Sequence, residues 1–308
     1  MKRSRRSRGL VRARAATVFL AAVAGAACGR RTVETRSAPS ASTASDPPPA
    51  APPSGVPVDA PAASTRTPPE LSCLERYYGG RLLLADGRWW LDLGGGQRLL
   101  FDDGRTKSFD ERLEAPDLED LFAVEYPTGP IVPITRPNGD PGRVRSLELL
   151  AATYGDGEGA VRSQLVGVSL LGSEFTAHRK VLPALRRVES RLERLARSDP
   201  SVRRYFAHPG GGFVYRKIAG TERLSAHAFG IAVDLDPKYG AYHLWDRGKL
   251  HYRNEIPANI VSAFESEGFV WGGRWYHYDT IHFEYRPELL DPACRRAGSA
   301  AGERHPSP

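Results

Sequence analysis

Five of the chain's eight histidines lie between positions 227 and 282, interleaved with carboxylates. Two short segments there hold the residues best equipped for chemistry. In the first, His227 is followed by Gly230 and then by Ile231-Ala232-Val233-Asp234-Leu235-Asp236. In the second, Asp279-Thr280-Ile281-His282 runs into Phe283-Glu284-Tyr285. A glycine after His227 permits a tight turn, and a strand beyond it alternates its faces. Ala232, Asp234 and Asp236 are then expected on the open face, with Ile231, Val233 and Leu235 toward the core. An aspartate on that face, beside a histidine brought back by the turn, offers two ligands to one metal ion. His282 offers a third, and a catalytic zinc takes three protein ligands while keeping one position for water. His227, Asp234 and His282 would provide those three ligands to a Zn2+ ion. If the second segment is fully extended, Thr280, His282 and Glu284 share one face and Asp279 lies on the other. A turn before the strand would free Asp279 to approach His282 and act as general base on a water that zinc brings to a pKa of about 7. Asp236, His243 and His277 have suitable side chains and stay open as competing ligands.

Around these segments the pattern is α+β. Strand-like runs fall at 212–215, 231–235 and 280–285. Val181, Leu185, Val188, Leu192 and Leu195 repeat at steps of four and three, which predicts a helix with one apolar stripe. The charges between them alternate in sign, as expected of a solvated face rather than a nucleic-acid patch. A second helix is expected to start at Pro257, bury Ile260, Val261 and Phe264, and end near Gly268. Upstream, apolar runs at 81–84, 88–93 and 97–101 are separated by Asp86-Gly87 and Gly94-Gly95-Gly96, which predicts hairpins of a small sheet. No chemistry is visible in that part. Trp271, Trp275 and Tyr276 flank the Gly272-Gly273 turn, as cleft lining or as packing.

The whole-chain charge is misleading. The 308 residues carry 43 Lys and Arg against 36 Asp and Glu, a net of +7 that points at first to an anionic partner. Residues 1–27 hold seven basic and no acidic residues, and without them 36 basic face 36 acidic residues. The reading is accordingly no nucleic-acid partner. The basic start is followed by the apolar run 15–27, shorter than the roughly 20 residues a membrane-spanning helix needs, and this is the pattern of an export signal. Gly25-Ala26-Ala27-Cys28 resembles a bacterial lipobox, so membrane attachment is expected only through a lipid anchor at Cys28. Residues 37–69 contain 10 of the 25 prolines, the composition of an extended spacer. Cys73 and Cys294 bracket the remainder and are predicted to form a disulfide in an exported protein. The expected organisation is a signal peptide at 1–27, a Pro/Ala/Ser-rich linker at 28–70 and a small β-rich region at 71–141. A zinc-binding domain at 142–292 and a tail at 293–308 complete it, and a monomer is expected.

The motif Ser225-x-His227-x-x-Gly230-x-Ala232-x-Asp234, followed by Asp279-x-x-His282, resembles the zinc D-alanyl-D-alanine carboxypeptidase family. That family includes D-Ala-D-Ala dipeptidases and L-alanyl-D-glutamate endopeptidases. The resemblance runs over roughly 142–290 and is strongest over 211–287. It implies the Hedgehog/DD-peptidase fold, zinc on His227, Asp234 and His282, and Asp279 as the catalytic carboxylate where the dipeptidase branch has Glu. It also implies an arginine that polarises the scissile carbonyl, for which Arg216 is favoured and Arg223 is the rival. Ser225 and Glu284 are expected to orient the ligands. The implied substrates are peptidoglycan peptides, and the implied location is the periplasm or cell envelope. The alternative is a zinc-containing cell-wall-binding module of the same fold without catalysis.

Overall fold

The computed structural model describes residues 66–294. The chain divides into two units, Met1–Pro57 and Val58–Pro308, and every described residue belongs to the second. The expected export signal, Cys28, the Pro-rich stretch up to residue 65 and the tail from residue 295 lie outside the described residues.

The described part opens with a helix, α1 (Pro69–Tyr78), which the β-like reading of this region did not anticipate. Its sequence explains it: a proline and Glu70 in the first turn, Arg76 in the last, and Leu71, Leu74 and Tyr78 buried along one stripe. Cys73 on this helix is disulfide-bonded to Cys294, 221 positions away. Strands β1 (Arg81–Ala85), β2 (Arg88–Gly94) and β3 (Gln97–Leu100) follow as an antiparallel meander, turning at the Asp-Gly and Gly-Gly positions. Helix α2 (Phe109–Glu114) begins with a capping box in which Ser108 and Glu111 exchange side-chain and backbone bonds. Beside it, Lys107 is buried with its ammonium 3.1 Å from Asp103, 2.9 Å from Asp117 and 2.7 Å from Asp120. Burial disfavours that charge, but the three carboxylates outweigh it and hold the lysine protonated.

The rest of the fold is mixed helix and sheet. Helices α3 (Leu147–Tyr154) and α4 (Glu158–Arg162) precede a hairpin of β4 (Leu165–Leu170) and β5 (Ser173–His178). Helix α5 (Leu182–Ser198) buries Leu185, Val188 and Leu192, as the periodicity predicts, and its Arg187 and Arg191 both pair with Glu267. A sheet of order β6-β8-β7 carries the site: β6 (Ala232–Asp234), β7 (Phe269–Trp271) and β8 (His282–Tyr285), all antiparallel. Helix α6 (Ala258–Glu265) has Pro257 as its cap rather than in its first turn and buries Ile260, Val261 and Phe264. The short α7 (Pro287–Leu290) and a 3-10 turn, Pro292–Cys294, close the described chain.

Two details of the expected strands change. Residues 212–215 form no strand; they are held by single bonds, including Phe213 N–H to the Thr176 carbonyl. On β6 both faces are covered, since Ala232 is as buried as Val233, so the alternation expected there fails. Both faces are covered because the larger of two hydrophobic clusters among the described residues takes in both Ala232 and Val233. It joins Leu71 of α1, Leu91 of β2, Leu185 of α5, Val233 of β6 and Phe283 of β8.

Candidate metal and catalytic site

Register puts two of the predicted ligands together. Asp234 and His282 are directly opposed residues of β6 and β8, so their side chains emerge on one face of the sheet. His227 arrives from a 3-10 turn, Ala226–Phe229, that Ser225 caps by accepting the His227 N–H. The turn closes on Gly230 at φ 67°, where a Cβ would sit 2.8 Å from the His178 nitrogen. Only glycine meets both conditions, which is the physical content of that motif position. His227 Nε2 lies 3.2 Å from Asp234 Oδ1 and 3.2 Å from His282 Nδ1, and the latter two atoms are 3.0 Å apart.

The outward ring nitrogens are tied off. His227 Nδ1 donates to the Gly212 carbonyl at 2.5 Å, which leaves its Nε2 lone pair facing the cluster. Gly212 lies flat on β5, where any Cβ would meet the Thr176 carbonyl oxygen at 2.1 Å. His282 Nε2 faces Glu284 Oε2 at 3.4 Å. Burial opposes ionisation of Glu284, but Arg145, which grips it at 2.7 and 2.5 Å, and Arg286 hold it well below the usual carboxylate range. With both outer nitrogens used as donors, the three inner atoms are all acceptors. A tetrahedral ion with bonds of about 2.0–2.1 Å needs donors about 3.3 Å apart, close to the spacing present. The residues thus fit a divalent metal. Without one, His282 is a strong base: burial works against its charge, but Asp234 and Glu284 push it up to about 9.

The turn expected before β8 is present, and it places Asp279. The Asp279 N–H bonds the Gly272 carbonyl, while His282 N–H returns to the Asp279 carbonyl. Segment 241–243 braces this turn from outside, with Tyr242 bridging to Asp279 and Ala241 N–H bonding Thr280 Oγ1 at 2.8 Å. Burial raises Asp279 to about 6; His282 and His227 lower it and Asp234 raises it, so the carboxyl is electrostatically part of the cluster. Arg216 is exposed, and its guanidinium makes only a 3.5 Å contact with the Lys217 carbonyl. Arg223 is instead paired with Glu114 at 3.1 Å.

The competing ligands are engaged elsewhere. Asp236 accepts from the backbone N–H groups of His208 and Lys238. His243 is buried against the Tyr278 carbonyl, and burial lowers it to about 4. His277 bonds Asp140 at 2.7 Å. Trp271 is core, whereas the Trp275 ring packs on His282 with centroids 5.5 Å apart. Two further groups of metal-type donors occur among the described residues, Cys73/Asp291/Cys294 and Asp102/Asp103/Asp117. The first has its thiols in the disulfide, and the second is neutralised in part by Lys107.

Sequence spacing gave no hint of the strap at 139–145. Asp140 takes both the N–H and Nδ1 of His277, Pro141 accepts the Trp275 indole N–H, and Arg143 bonds the His277 carbonyl. Arg145 is the partner of Glu284. The string Asp140-Pro141-Gly142-Arg143-Val144-Arg145 holds three charges, but no motif or period marks them.

Residues 219–285 match the family described as D-alanyl-D-alanine carboxypeptidase. That window holds His227, Asp234, Asp279 and His282, while Arg216 and the strap fall outside it. It agrees with the resemblance carried by the motifs. No curated protein and no solved structure matches the chain.

Proposed function

We propose that the protein is an exported zinc metallopeptidase that hydrolyses amide bonds in peptidoglycan stem peptides or cross-links. The observation that carries this reading is the convergence of three acceptor atoms, each 3.0–3.2 Å from the others, beside a carboxyl whose pKa is raised toward neutrality. His227, Asp234 and His282 would hold the ion, which when bound supplies a Lewis acid for the carbonyl and acidifies water.

The remaining work falls to the chain's own groups. Asp279, raised by burial, takes a proton from the attacking water at its carboxylate and returns it to the leaving nitrogen. Arg216 has an exposed guanidinium with donors to spare, and it acts on Tyr242, whose phenol burial and Asp279 raise against the opposing pull of Arg143 and Arg216; that nearness to Tyr242 supports its reaching the oxyanion. Gly212 and Glu284 fix the two imidazole tautomers, and Arg145 holds Glu284 ionised. The basic and apolar N-terminal stretch supports export to the periplasm or cell envelope, with Cys28 as an acyl anchor and the Pro-rich linker as a spacer.

The test is metal analysis together with mass spectrometry of digested muropeptides. The purified protein should hold about one zinc per chain and release defined fragments. Asp279→Asn should keep the metal while turnover falls by about 10²- to 10⁴-fold. An Asp279→Asn protein as active as the parent would sink the assignment of the general base.

A further inference from the structure

Among the described residues, several arginines near the site are paired with carboxylates, and Arg216 and Arg143 are exceptions. Arg145 grips Glu284, Arg223 meets Glu114, Arg274 meets Glu265 and Arg286 meets Glu288. Arg216 is exposed and solvated. Arg143 is the other exception: it is half-buried, and among the described residues no carboxylate lies within ion-pair distance of it. Asp140, the carboxylate that favours its charge, has both oxygens bonded to His277. The one bond from its guanidinium is Nη1 to the His277 carbonyl, 2.9 Å. Burial works against its charge; Asp140 and Tyr242 favour it, while Arg145 and Arg223 oppose it.

The position of this cation is informative. Its guanidinium lies over the Trp275 ring, 5.8 Å from the centroid, and that ring packs on His282. It also acts electrostatically on Tyr242, whose phenol is raised by burial and by Asp279 and lowered by Arg143 and Arg216. Arg143 therefore lies one ring away from the ligand cluster and one ring away from Asp279. A guanidinium presents a planar fork that matches a carboxylate with two parallel hydrogen bonds, and a partly desolvated cation gains most from such a partner.

We infer that Arg143 binds a carboxylate of the substrate beside the bond that is cleaved, making the strap at 139–145 the specificity-determining part of the site. The inference rests on the peptidase reading for its substrate class, an anionic peptide. The carboxylate is either the α-carboxylate of a chain end or a side-chain carboxylate next to the scissile amide.

The test compares diacetyl-Lys-D-Ala-D-Ala with its C-terminal amide, and a Glu-containing muropeptide with its Gln counterpart, on the full-length protein and on Arg143→Ala and Arg143→Lys. The wild type should favour the acid of one pair. Arg143→Ala should lose about 10- to 100-fold of that ratio in kcat/KM at unchanged zinc content. Arg143→Lys, which keeps the charge and loses the fork, should fall between them and covers the case in which the alanine variant does not fold. A preference in the first pair identifies the α-carboxylate, and one in the second identifies the side chain. No preference in the wild type, or an undiminished one in both variants, overturns the inference. If no peptide is cleaved, the peptidase reading fails on its own. Arg143 is then decided by indole NMR of Trp275 during titration with N-acetyl-D-alanine and N-acetyl-D-alaninamide. A shift with the acid alone that both variants weaken supports the site, and equal shifts in all three proteins overturn it.

Discussion

Two places among the described residues gather acidic side chains and solve the problem of buried charge in opposite ways. Near α2, Asp103, Asp117 and Asp120 surround the ammonium of Lys107, which is 2% exposed. The chain supplies its own cation there. On the β6-β8 face, His227, Asp234 and His282 turn acceptor atoms toward one point, and their donor nitrogens face outward to Gly212 and Glu284. Among the described residues no lysine or arginine enters that group. A cluster of carboxylates is thus poor evidence for a metal until the cations nearby have been counted, and the second cluster survives that count.

The largest effect that would separate the two regions is at Lys107. Replacing it with Met leaves three aspartates around an apolar stem, and removal of one member of a buried ion pair costs about 3–5 kcal/mol. Denaturant unfolding of Lys107→Met should show that loss while zinc stoichiometry stays at the wild-type value. The loss should shrink as the pH is lowered, because Asp120, whose carboxyl burial raises, then takes up a proton. A Lys107→Met protein that gained a second bound metal would break the comparison, since it would make the lysine a stand-in for an ion.

A smaller effect is expected at Glu284→Gln. The amide still accepts from His282 Nε2, yet it removes the negative charge that Arg145 and Arg286 stabilise and that makes His282 a better donor. Metal affinity should fall by about 10- to 100-fold, the usual loss when a ligand's hydrogen-bond partner is changed. Competition with a chromophoric chelator reads this directly. Unchanged affinity would show that Glu284 serves the buried ion network alone.

The two regions also differed in how far the sequence foretold them. The grouping of His227, Asp234 and His282 was legible because His227 and Asp234 sit within one turn and one strand, and Asp279 and His282 within another. Local spacing then constrains geometry, and the antiparallel register of β6 and β8 completes it. The Asp-Gly and Gly-Gly turns of the meander were legible for the same local reason. Helix α1 was missed because its apolar stripe is only Leu71, Leu74 and Tyr78, too short to stand out beside the Pro-rich stretch. The segment at 212–215 was read as a strand from its β-prone residues. Gly211 at φ 111° and the close approach of Gly212 to Thr176 instead make it an irregular support for His227. Asp140, Arg143 and Arg145 were invisible as site residues because they lie about 140 positions from the groups they touch, and no local period encodes such a contact.

The smallest effect concerns protons, and it tests whether the second cluster takes its cation from solution. In the metal-free protein His282 is raised from 6.5 to about 9: burial opposes the charge, and the bonds to Asp234 and Glu284 overcome it. A histidine raised in the folded state contributes stability that is fully present below the unfolded pKa and is lost as pH rises through the folded one. The metal-free protein should therefore lose this contribution between about pH 6.5 and 9. A bound metal displaces the same proton, so its binding strengthens over that window rather than weakening. The measurable quantity is the difference in Tm between zinc-loaded and chelator-treated protein, from which most other titrations cancel. That difference should widen steadily from pH 6.5 to 9, and Lys107→Met should widen in parallel because its cluster lies elsewhere. A difference that stays flat or narrows would mean that proton and metal do not compete for His282 Nδ1, and the contrast between the two regions would lose its basis.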